Sequence, residues 1–79
     1  MKYVYILQSI HFPDKFYTGL TNDLKRRFAE HNHGKSTHSN KYAPWRLKTY
    51  IAFDNDLKAF EFEIYLKTSS GRVFAKKHF

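Results

Sequence analysis

Hydrophobic and polar positions divide the chain into alternating strand-like and helix-like segments. Residues 3–9, YVYILQS, carry aromatic and β-branched side chains on both faces, Tyr3, Tyr5 and Leu7 on one and Val4 and Ile6 on the other. A strand apolar on both sides belongs in the middle of a sheet. HFPDK turns the chain at Pro13-Asp14, and KFYTGL at 15–20 returns as the second strand of a hairpin. WRLKTYIAF at 45–53 alternates, with Leu47, Thr49, Ile51 and Phe53 on one face, and predicts a third strand.

Helical patterns fill the intervals. Thr21 or Asn22 can cap a helix running through DLKRRFAEH until Asn32-His33-Gly34 stops it. Asp54, Asn55 or Asp56 can cap a second over about 57–67, and a short third one starts after Ser69 or Ser70. The order β-β-α-β-α-(α) predicts an α+β fold: a small three-stranded, mostly antiparallel sheet with flanking helices, one domain over 1–79. The polar, basic segment HGKSTHSNKYAP at 33–44 is long enough to be functional rather than merely connective.

Three features resist a purely structural reading. Gly19 interrupts the second strand, where glycine costs roughly 0.5–1 kcal/mol against alanine, so a bulge, a strand end or room for a ligand must require it. On the first helix, at about 100° per residue, Leu24 and Phe28 form the buried pair. Arg27 and His31 border that inward face while Arg26 points to solvent. Arg27 is then either a stem packed along the core edge or a phosphate ligand, and His31 either a satisfied border residue or a proton carrier.

On the second helix, Leu57, Phe60 and Ile64 belong to a very wide apolar arc, and Glu63 sits inside it. A carboxylate there needs a partner. Lys67, four residues on, is one candidate; a hard divalent cation, with water and phosphate oxygens completing its shell, is the other. Where Arg27, His31 and Glu63 converge on the end of the second strand, Gly19 reads as a gap that lets a phosphate or metal approach the backbone.

Composition narrows the function. With 79 residues, 19% of them aromatic and no cysteine, the core must lean on large rings, and disulfides and thiolate metal sites are excluded. Fourteen Lys and Arg against seven Asp and Glu give a net charge of +7, which suits a polyanion such as nucleic acid. Candidate phosphate contacts are Lys35, His38, Lys41 and Arg46 in the acid-free stretch 31–53, and Arg72 in the acid-free tail. Three glycines do not build a P-loop or a dinucleotide site. No stretch of about 18 apolar residues occurs, so the expectation is a cytoplasmic protein with no membrane association.

Val4-Tyr5, the tripeptide Tyr17-Thr18-Gly19, Arg27, His31 and Glu63 within KAFEFEIYLK together resemble the GIY-YIG nuclease domain, in particular its small single-domain bacterial members. The resemblance spans essentially the whole chain and rests on intervals: twelve positions from Tyr5 to Tyr17, ten from Tyr17 to Arg27 and four to His31. It implies phosphodiester hydrolysis in nucleic acid, with DNA the expected form, using one Mg²⁺ or Mn²⁺ ion. Tyr5 and Tyr17 would lie at the reacting centre, Tyr5 as general base. Arg27 would stabilise phosphate charge, His31 would relay a proton, and Glu63 would ligate the metal. Larger members carry an asparagine where this chain has Ala75. That departure keeps a catalytically silent nucleic-acid-binding module open as the alternative, and a dimer or a partner protein is equally open. A phenol that titrates near 10 serves as base at neutral pH only if cations lower that value or its proton passes on to His31.

Overall fold

A computed structural model describes residues 1–34 and 39–79; the expected phosphate contacts at Lys35 and His38 lie outside those residues. The element order is β1 (Lys2–Ser9), β2 (Phe16–Thr21), α1 (Leu24–Asn32), a 3-10 turn (Asn40–Tyr42), β3 (Trp45–Phe53), α2 (Asp56–Leu66) and α3 (Ser69–His78). The strands form one sheet in the order β2-β1-β3, antiparallel throughout. β1 is central and buried on both faces, as its two-sided apolar pattern requires.

Helix starts are set by side chains that accept a backbone N–H. Asp23, rather than Thr21 or Asn22, caps α1 through Arg26 N, while Thr21 Oγ1 accepts from Asp23 N. Asn55 caps α2, and Thr68, one residue earlier than expected, caps α3.

The sheet separates two cores. Val4 and Ile6 pack with Ala59 and Leu66 of α2 and with Phe74 and Phe79 from the C-terminal end. Tyr5, Leu7 and Trp45 pack on the opposite face with Tyr17, Leu24, Phe28 and Leu47. β3 contributes to both because its ladder with β1 shifts: Leu7 pairs with Leu47 but Ile6 pairs with Thr49, leaving Lys48 as the extra residue of a bulge. Leu47 and Phe53 therefore face opposite cores, contrary to the simple alternation of the sequence.

α2 buries only one part of its wide apolar arc. Ala59 and Leu66 are buried and Phe62 partly so, whereas Leu57, Phe60 and Ile64 are 63%, 51% and 47% exposed. A helix apolar nearly all round does not announce its inner face; the stripe Ala59-Phe62-Glu63-Leu66 is the one the sheet selects.

α2 and α3 meet at Gly71, where a Cβ would fall 2.6 Å from Leu66 Cα and collide with the Tyr65 carbonyl. Gly71→Ala should lower unfolding free energy by about 2–3 kcal/mol in urea melts; an unchanged midpoint would mean that the two helices do not touch there.

Candidate active site

Register places Tyr5 and Tyr17 on the α1 face of the sheet, Tyr5 opposite Gly19 and Leu7 opposite Tyr17. The two phenol rings stack with centroids 6.4 Å apart. A Cβ on Gly19 would fall 2.9 Å from Tyr5 Cε1 and overlap the hydroxyl end of the ring. The absent side chain thus houses the Tyr5 phenol rather than a phosphate or metal. The strand continues in regular register to Thr21, so Gly19 marks neither a bulge nor a strand end.

α1 brings His31 onto the two phenols. Its side chain is 0% exposed, deeper than the border position expected of it and deeper than Leu24 or Phe28. Nε2 lies 2.8 Å from the Tyr5 hydroxyl, Nδ1 lies 2.5 Å from Ser39 Oγ, and the ring tilts against Tyr17 at 4.6 Å. The neighbouring residue pins this end of the helix. Asn32 Nδ2 donates to Trp45 O at 2.9 Å and Asn32 Oδ1 accepts from Trp45 N at 2.5 Å. Trp45 Nε1 in turn donates to Ser39 O at 2.9 Å, which returns Ser39 to the imidazole.

Arg27 stands at the open side of this cluster, about a third exposed, and donates to Glu30 Oε1 at 3.1 Å. Burial opposes its charge, but Glu30 and the nearby hydroxyls of Tyr5 and Tyr17 outweigh that and hold it protonated more firmly than a free arginine. Burial pushes the Tyr5 phenol up to about 12; Arg27 opposes the rise, and Tyr17 and Glu63 add to it. Burial first, and then the Arg27 charge, push His31 down to about 4 against the pull of Glu30. Of the two ways a tyrosine can serve as base near neutrality, the first, a lowered pKa, is opposed here because burial outweighs the pull of Arg27; for the second, a neutral imidazole to take its proton, the contact is in place.

Glu63 on α2 has a side chain only 13% exposed and is paired with Lys67 Nζ at 2.7 Å. Of its two candidate partners, Lys67 is the one in place. Among the described residues no three His, Asp or Glu side chains gather as a ligand set. One sheltered carboxylate suits a hard cation that takes most of its ligands from water and phosphate, provided Lys67 swings aside.

The remaining expected contacts are scattered. Lys41 is exposed, with its ammonium 5.5 Å from the Tyr42 ring, and Arg46 donates to Gln8 Oε1 at 2.6 Å. Arg72 lies on α3, across the sheet from Tyr5. Ala75 packs into the core beside Val4 and Ile6, so no polar group occupies that place. Ser39 was not foreseen; one serine in a polar loop carries no mark of the tertiary contact it makes.

A family model of the GIY-YIG catalytic domain matches residues 1–77. The chain belongs to the GIY-YIG family. A UPF0213 protein of Cupriavidus necator is 38% identical over 69 residues, covering 86% of this chain and 73% of its own. A UPF0213 protein of Streptococcus pyogenes serotype M3 is 39% identical over 72 residues, covering 89% and 75%. The structure-specific endonuclease subunit SLX1 homologue of Giardia intestinalis is 31% identical over 65 residues, 77% of this chain but 18% of that protein. The solution NMR structure of a UPF0213 protein from Bacillus halodurans, 33% identical, matches with a TM-score of 0.58 over 96% of this chain and 81% of that one. This GIY-YIG domain thus has a nuclease-type fold. Among the described residues no helix is long and apolar enough to cross a membrane.

Because His31 is held neutral in the fold, the unfolded chain binds the extra proton first as pH falls below about 6.5. Stability contributed by the neutral imidazole is whole above that pH and drains away toward about 4. Wild type should lose about 3 kcal/mol more than His31→Gln between pH 7 and pH 4 in urea melts; parallel losses would mean that the imidazole titrates as if exposed.

Proposed function

We propose that this chain is an endonuclease that hydrolyses phosphodiester bonds of nucleic acid, DNA in the first instance, with Tyr5 and His31 together receiving the proton of the attacking water. The observation that carries the reading is the 2.8 Å contact between the Tyr5 hydroxyl and His31 Nε2, in a pocket bordered by Arg27. Water must shed a proton as it attacks phosphorus, so a base has to stand ready. Neither group is ionised alone: separating a phenol at about 12 from an imidazole at about 4 into ions would cost on the order of 10 kcal/mol, before their mutual attraction.

Proton movement is therefore a relay. The phenolic oxygen takes the proton of water while its own passes to Nε2. With Tyr5 as the donor, the imidazole proton sits on Nδ1 and is donated to Ser39 Oγ, which leaves the Nε2 lone pair free for the transfer. Ser39 is thus a positioning residue: it fixes the tautomer and the ring. Arg27, kept cationic, stabilises the charge that grows on the phosphate oxygens, and Tyr17 lines the same wall.

Glu63 would be the protein ligand of a Mg²⁺ or Mn²⁺ ion once Lys67 releases it. Such an ion, when bound, supplies further neutralisation of the phosphate. The second reading, a silent nucleic-acid-binding module, draws on Ala75, whose place in the core offers no substitute for the asparagine of larger relatives.

With Mg²⁺ or Mn²⁺ present, wild type should cut single-stranded, duplex or branched DNA, and Tyr5→Phe, Arg27→Ala and Glu63→Ala should each slow cutting by about 10²–10³-fold while remaining folded. Salt-sensitive binding without cutting of any substrate would select the silent module instead. Gly19→Ala, which must displace the Tyr5 phenol, should match Tyr5→Phe in rate loss; full activity would show that the ring position is not needed.

A further inference from the structure

On the opposite face of the sheet from His31, the hairpin end and α3 enclose an open groove of about 880 Å³. Its floor is apolar, formed by Ile6, Leu66, Ala75 and Phe79. Its walls carry Lys15, Lys48, Lys67, Arg72 and Lys76, with Asp14 the one acid among them. Glu63 holds Lys67, but among the described residues Lys15, Lys48, Arg72 and Lys76 have no carboxylate at ion-pair distance. The β3 bulge is what supplies Lys48: as the unpaired residue between Leu47 and Thr49 it joins the groove lining, and its ammonium lies 5.9 Å from the exposed ring of Phe16.

Like charges gathered in one concavity oppose folding and attract a polyanion. The apolar floor and the exposed Phe16 narrow the choice among polyanions. A free phosphate or polyphosphate uses only the cations, and a duplex keeps its bases stacked on one another. A single strand offers phosphates to the ammonium groups and unstacked bases to the ring, the combination on which single-strand sites are built. The groove also shares a residue with the candidate active site. β2 is an edge strand, and Tyr17 borders both the groove and the His31 pocket.

We infer that this groove holds a single-stranded segment of nucleic acid, the arm of the substrate that leaves the active site around the edge of β2. The inference rests on the nuclease reading for its choice of nucleic acid, but binding in the groove requires neither metal nor cleavage.

The test is fluorescence anisotropy with a short labelled oligothymidylate and a blunt duplex hairpin, in EDTA at low salt, so that a failure to cleave DNA and a failure to bind here are separate results. Lys48→Gln and Phe16→Ser should each weaken oligothymidylate binding by about tenfold and duplex binding by less than about twofold. Lys58→Gln, which removes the same charge from the exposed side of α2, should change neither. Amide NMR shifts of Thr18 and Lys76 should move with oligothymidylate and report folding of each variant. Equal losses for single strand and duplex, undiminished oligothymidylate binding by a folded Lys48→Gln, or full displacement of the oligonucleotide by tripolyphosphate at matched phosphate would each overturn it.

Discussion

A buried phenol bonded to a buried imidazole organises this small domain. Tyr5 sits on the central strand, His31 on the last turn of α1, and the two meet at 2.8 Å, both side chains shielded from bulk solvent. An unpaired polar group at that depth costs about 1–3 kcal/mol, so each partner fixes the other. Much of the α1 face follows from that meeting. Gly19 gives the ring its place, Asn32 ties the helix end to the start of β3, and Trp45 brings Ser39 back to the second imidazole nitrogen.

The same pair is poised by opposing shifts. Burial favours the neutral form of both groups, raising the phenol and lowering the imidazole, and Arg27 acts on both with its positive charge. A site arranged this way holds no standing base. Under the proposed function it would offer a path along which a proton moves only when phosphate charge and an attacking water are present to drive it, which is catalysis by preorganised groups rather than by one strongly perturbed residue.

Period-two patterning and aromatic content made the strands legible, because a central strand apolar on both faces has few other places to go. The intervals between Tyr5, Tyr17, Arg27 and His31 carry the resemblance to the GIY-YIG domain, and through it these side chains could be grouped from the sequence. Legibility ended where a choice is made by tertiary contact. Nothing in WRLKTYIAF marks Lys48 as the unpaired residue of a bulge. α2 is apolar on nearly every side, so which half it buries depends on what the sheet presents. Ser39 is one polar loop residue among several until Trp45 holds it, and the space at Gly19 is explained only by the ring that fills it.

The relay depends on which imidazole nitrogen carries the proton, and ¹⁵N NMR of labelled protein near neutral pH reads that directly. The account predicts a neutral His31 with its proton on Nδ1 and an unprotonated Nε2 coupled to the Tyr5 hydroxyl, persisting until the pH approaches about 4. A proton on Nε2, or an imidazolium already formed at neutral pH, would leave Tyr5 without an acceptor and contradict it.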